Sequence, residues 1–240
     1  MDHIPSIRPT GFFALLGVAT ALVLTALACV AFVAKPDATL GIVQKIFYFH
    51  VSSAIAMMLC LGCGSILSLV DLFAPSERID ALAQSAIETG LAFALMVLAS
   101  GPLWARKSWG AWWTWEPRLT LTLLLLLLAV AVLGIRHMAA DERGRKIAAA
   151  LASLAAPVAY LIHVAVAKWG GTHPMVLNGG GIQSSGMLWT FRVSMVAILL
   201  LAATLWTLRF RVLRLSQRLH ALQLECSARE IRGQRLGGVR

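Results

Sequence analysis

Residues 119–138 read LTLTLLLLLLAVAVLGIRHM. Seventeen positions pass before the first charge, Arg136, and after Thr122 no alternation of apolar and polar residues interrupts them. A strand half-exposed to water would alternate, and a strand buried on both faces is shorter. An apolar helix needs about 20 residues to cross a bilayer, and in lipid a helix satisfies its own backbone. This stretch is therefore a membrane span. Working outward, comparable runs lie at about 11–34, 45–73, 80–103, 147–167 and 188–210. The sequence predicts an all-α, polytopic membrane protein with six transmembrane helices. The first run is longer than the roughly 7–15-residue core of a signal peptide, so it is expected to be a retained helix. The second is long enough to tilt or project.

Composition agrees. Apolar residues make up 59% of the 240 residues and charged residues 13%, against about a quarter charged in soluble domains. The net charge of +10 raises the question of nucleic acid, but no basic reading motif is present. The charge instead follows the loops. Of 21 Lys and Arg, 14 fall on the side of the termini and of the 74–79 and 139–146 loops. Seven fall in 35–45, 104–118 and 168–192. Positive charge collects on the cytoplasmic side, so both termini are expected in the cytoplasm and the other three connections outside. Residues 1–210 then form a six-helix membrane domain, and 211–240 a basic cytoplasmic tail. The start of that tail, in RFRVLRLSQRLHALQL (209–224), mixes Arg with Leu and Val at helical spacing, which suits either a helix on an anionic lipid surface or a solvated basic tail. Glu88, inside the third run, is either a pathway residue or simply paired near the cytoplasmic side, and pairing is the expected role.

Cys60 and Cys63 form CLGC within the second run. No His follows Cys63, so this is no covalent haem-attachment motif, and small helix-packing residues are the expected role.

Residues 104–120 read WARKSWGAWWTWEPRLT and hold five of the eight tryptophans: Trp104, Trp109, Trp112, Trp113 and Trp115. An interfacial aromatic belt needs fewer. If the segment is helical from Trp109, then Trp109, Trp112, Trp113 and Glu116 share one face. That face would be an aromatic plate for a large flat apolar ligand. Arg106, Lys107 and Arg118 stand ready for acidic groups on it. Pro117 suits the first position of the fourth helix. Glu116 at its N-cap is a poor cap and is expected to be held by other partners as well. A porphyrin with two propionates meets these demands, and its iron takes axial ligands, commonly His.

Six histidines are available. His3 and His220 lie in the tails, and His137 closes the fourth helix, where a cation suits the C-terminus. His50, in IFYFHVSSA (46–54), lies near the outer face among aromatics. His163 lies at similar depth in the fifth run. His173 follows Gly170 and Gly171 in the outer loop KWGGTHPM (168–175). Spacing leaves His163 and His173 as alternatives for a second ligand.

WGAWWTWEPRLT (109–120) closely resembles the WGxWWxWDxRLT signature of the haem-handling proteins of cytochrome c maturation, with Glu116 in place of the signature's Asp. Six spans and this length resemble the CcmC family within that group. KIFYFHVSSA (45–54) and KWGGTHPM resemble the family's two His-bearing segments, so the likeness covers about 40–195. The resemblance implies His50 and His173 as axial ligands of the iron of haem b, which is bound as cargo. It implies Trp109, Trp112, Trp113 and Trp115 as the platform, completed by Glu116 and Arg118. It also implies delivery of haem, on the outer face of the bacterial inner membrane, to the chaperone CcmE. The ABC-type subunits CcmA and CcmB and the small membrane protein CcmD are the implied partners.

No Walker or zinc-type helix motif is present, so a binding and delivery protein without catalytic turnover is expected. Three other readings make different demands. A haem transporter needs a polar or gated path through the helices. A quinone-linked oxidoreductase needs redox-active Cys60 and Cys63. A structural subunit needs tryptophans that serve insertion or assembly alone.

Overall fold

The computed structural model describes residues 9–138, 141–174, 182 and 184–237, with side chains described from 10 to 229 within those bounds. His3 and most of the glycine-rich stretch after Pro174 lie outside them. Helix α1 spans Pro9–Ala28 and continues as a π-helical turn, Cys29–Val33. A 3₁₀ turn, Ile42–Lys45, leads into α2, Ile46–Phe73. Then come α3 (Glu77–Trp109), α4 (Pro117–Met138), α5 (Glu142–Ala152), α6 (Ala155–Trp169) and α7 (Ser185–Gly237). Among the described residues, six helical stretches are long and apolar enough to span a membrane, with α5 and α6 together forming the fifth. The chain is a multi-pass, all-helical membrane protein.

The elements differ from expectation in three places. The third helix runs on to Trp109, so Trp104 and Trp109 lie on its last turns. The sixth continues through Arg211 without a break to Gly237. The fifth is broken at Ser153–Leu154. Pro157 lacks the N–H that would reach the Ser153 carbonyl one turn back. Ser65 of α2 supplies the replacement: its hydroxyl donates to Ser153 O at 2.7 Å and accepts from Ala156 N at 3.0 Å. A backbone break inside the bilayer is thus satisfied by a neighbouring helix, as lipid requires.

Helices α2 and α3 pack closely because small residues line their contact. A Cβ on Gly90 would lie 2.6 Å from Leu61 Cγ, and one on Gly64 2.8 Å from Ile87 Cγ1. Without a hydrophobic drive between helices in lipid, such close packing supplies much of the association. At the end of the bundle nearer the termini, Arg136 pairs with Asp80 at 2.8 Å, and both side chains are about nine-tenths buried. Glu88 pairs with Arg209 of α7; its Oε1 accepts from Arg209 Nη2 at 3.0 Å and from Gln84 at 3.0 Å. The expected pairing of Glu88 is therefore found.

The opposite end gathers the other three connections. Lys45 donates to Ala31 O at 2.9 Å, Trp104 to Gln44 at 3.3 Å, and Thr172 to Glu116 at 2.7 Å.

Candidate functional site

The tryptophan segment does not form the single helical face expected of it. Helix α3 ends at Trp109 because Gly110 adopts the left-handed conformation, φ 75°, the usual glycine stop. Arg106 then donates to the Gly110 carbonyl. From Ala111 to Glu116 the chain is irregular, and α4 starts at Pro117. A one-face plate of Trp109, Trp112, Trp113 and Glu116 is therefore replaced by edge-on packing. Trp104 and Trp109 meet with ring centroids 5.6 Å apart at 89°, and Trp113 and Trp115 at 5.8 Å and 76°. Edge-to-face geometry suits the aromatic quadrupole.

All of these rings but that of Trp115 wall a cavity of about 310 Å³ between α2, α3, α4 and α6. His50, His163 and His173 all line it, with Trp104, Trp109, Trp112, Trp113 and Arg118. Its remaining walls are largely apolar, Met57, Met58, Val97 and Leu119 among them. Trp115 and Glu116 lie outside the lining; Trp115 is 76% exposed.

Glu116 acts one step back. Its Oε2 accepts from Thr172 N at 2.7 Å and from Thr172 Oγ1 at 3.1 Å, while its carbonyl caps α4 through Thr120 N at 3.0 Å. The partners expected from its poor capping are thus present. They fasten the loop that carries His173. Gly171 has φ +140°, and a Cβ there would lie 2.7 Å from Glu116 Oε2. The glycine before Thr172 is what lets the carboxylate reach in.

His173 stands edge-on to Trp109, centroids 6.3 Å apart. Burial, and then the charge of Arg118, hold its imidazole below the usual range. It is therefore neutral near pH 7, the form that can bind a metal. Arg118 Nη2 donates to the His163 carbonyl at 3.2 Å. His50, on α2, lies 2.9 Å from Ser100 Oγ through Nδ1.

A family model described as heme exporter protein C matches residues 7–225. The chain belongs to the heme exporter protein C family. The heme exporter protein C of Bradyrhizobium diazoefficiens is 29% identical over 240 aligned residues, covering 95% of this chain and 91% of the relative. The heme exporter protein C of Escherichia coli K12 is 30% identical over 179 residues, 74% of this chain and 73% of the relative. A shorter match, 39% over 54 residues, is to the cytochrome c biogenesis protein CcsA of Synechococcus. Within this heme exporter protein C family member, the sequence singled out His50, His173 and four of the residues that line the cavity or its rim. It missed Trp104 as a lining residue, Ser100 and Gly101 beside His50, and Thr172 as the handle for Glu116. The adjacent Ser100, Gly101 and Pro102, an unusual run in an apolar helix, were the available signal.

Proposed function

We propose that this protein binds haem b as cargo in the aromatic cavity, on the outer face of the bacterial inner membrane. His50 and His173 are the axial ligands, and Trp109, Trp112 and Trp113 pack against the ring. Arg118 takes a propionate. The haem passes to the chaperone CcmE, in an assembly with CcmA, CcmB and CcmD. The protein itself carries out no catalytic turnover. Both termini lie in the cytoplasm, in line with the 14-to-7 division of basic residues.

The observation that carries this reading is the convergence of three histidines, four tryptophans and Arg118 on one cavity. The donor chemistry fits: neutral imidazole for iron, indoles for a flat ring, a guanidinium for carboxylate. Two buried N–H donors beside the cavity, Trp113 Nε1 and Arg118 Nε, have no acceptor among the described residues. A ligand with carboxylates answers that chemistry.

Delivery is favoured over passage through the protein. A second, polar cavity lies at the end of the bundle that holds the 74–79 and 139–146 connections, lined by Asp80, Gln84, Glu88, Arg136, Arg145 and Arg209 among others. Along α4, Thr122 borders the first cavity and Leu133 the second, a separation of about 16 Å of helix. Leu125 and Val132 between them are fully buried, as is Leu61 opposite. A haem-wide path would have to open that packing. Cys60 and Cys63 line neither cavity, which disfavours the oxidoreductase.

The test is the absorption spectrum of the protein purified from haem-replete cells, beside His50→Ala, His163→Ala and His173→Ala. The expected result is a Soret band that is lost or shifted in His50→Ala and His173→Ala and kept in His163→Ala. A wild type that carries no haem, even with CcmE co-expressed, would sink the proposal.

A further inference from the structure

His50 touches α3 at two consecutive residues. Its Nδ1 lies 2.9 Å from Ser100 Oγ. The Ser100 hydroxyl is also 2.7 Å from the Met96 carbonyl. A carbonyl oxygen has no proton to give, so a contact of that length requires the serine's single proton to lie between them. Ser100 is then an acceptor toward His50, and the proton in the 2.9 Å bond must sit on Nδ1. A neutral imidazole with its proton on Nδ1 leaves Nε2 as a bare lone pair.

The ring's placement has its own cause. A Cβ on residue 101 would fall 3.2 Å from His50 Cε1 and 3.9 Å from Nδ1. Glycine at this position lets the Nδ1–Cε1 edge rest on α3. Nε2 and Cδ2 are left for the cavity that the ring lines.

We infer that Ser100 is a positioning residue that fixes the tautomer of His50, so that the histidine presents Nε2, already stripped of its proton, to the cavity. The tautomer follows from the geometry alone; its consequence for haem rests on the function proposed above. An anchored N–H on the far side of a histidine ligand holds the ring and raises its basicity, and losing such a partner commonly weakens metal affinity about 10–100-fold.

The two parts separate experimentally. Long-range ¹H–¹⁵N correlation of the haem-free protein in detergent reads the His50 tautomer directly. The wild type is expected to show His50 with its proton on Nδ1. Ser100→Ala should shift it toward a mixture containing the Nε2–H form, and Ser100→Thr, which keeps the hydroxyl, should restore it. A wild-type His50 protonated on Nε2 overturns the inference whatever the variants do, so the result does not depend on how well Ser100→Ala folds. Haem titration then tests the consequence. Ser100→Ala is expected to bind haem at least tenfold more weakly with a shifted Soret band, while Ser100→Thr stays close to wild type. A moved tautomer with unchanged haem affinity would refute the positioning role. A wild type that binds no haem would instead remove the proposed function and leave the tautomer assignment intact.

Discussion

Arg118 and His173 meet at one atom: the guanidinium Nη1 lies 3.2 Å from Nδ1 of the imidazole. The same Nδ1 lies 3.2 Å from the carbonyl of Pro174. The two contacts make opposite demands. Arginine can only donate, so it needs a lone pair on Nδ1, which sends the proton to Nε2 and blocks coordination there. The carbonyl needs a proton on Nδ1, which frees Nε2. On the function proposed above, His173 is not ready for iron while Arg118 holds the ring. A carboxylate that draws Arg118 away makes it ready. We expect haem with free propionates to bind in a six-coordinate form. Haem dimethyl ester, which offers Arg118 no anion, should bind through His50 alone. Resonance Raman or magnetic circular dichroism distinguishes the two, and identical coordination for both would break the coupling.

The same pair sets a pH dependence. His173 is held below the ordinary histidine value, about 6.5, first by burial and then by Arg118. A depressed value means that folding favours the neutral ring. The stabilisation is therefore complete at neutral pH and above. It is lost progressively as pH falls below the unfolded value toward the folded one. In Arg118→Gln the charge is gone, so His173 should titrate higher than in the wild type. NMR titration of the haem-free protein measures both.

Glu116 should behave as a clamp on the His173 loop. Its removal takes away two hydrogen bonds from Thr172 to a carboxylate, bonds worth about 1.5–3 kcal/mol each when charged groups take part. Glu116→Ala is expected to copy the haem spectrum of His173→Ala in part, with haem retained by His50. Gly171→Ala should do the same for a different reason, since its φ of +140° and the 2.7 Å approach of Oε2 leave no room for a methyl group. A Gly171→Ala protein with a wild-type spectrum would show that the loop holds His173 without the clamp.

The spans were legible because a run such as Leu121–Leu133 has one cheap conformation in lipid. The gathering of Trp109, Trp112, Trp113, Arg118, His50 and His173 on one cavity was legible because all six fall at the same end of the spans. The single-face plate was misread because Gly110, with no Cβ, stops the helix just where the periodicity argument assumed it continued. The break at Ser153–Leu154 was missed because its compensation comes from Ser65, 88 residues away. Ser100 was passed over because a serine in an apolar helix ordinarily bonds back to its own turn. It does so here as well, and only the neighbouring ring gives that bond a second consequence.

The break in the fifth span gives the sharpest test of how this bundle satisfies its backbone. Ser65→Ala removes at once the donor for Ser153 O and the acceptor for Ala156 N. Each buried orphan costs about 1–3 kcal/mol, so the variant should be destabilised by a few kcal/mol in reversible unfolding from mixed micelles. Pro157→Ala restores an N–H one turn after Ser153 and lets the helix close its own bond. The Ser65→Ala penalty should therefore be smaller in the Pro157→Ala background by about 1 kcal/mol or more, the coupling expected of groups that share a partner. Strict additivity of the two substitutions would mean that Ser65 and Pro157 do not act on the same carbonyl, and the account of the break would fail.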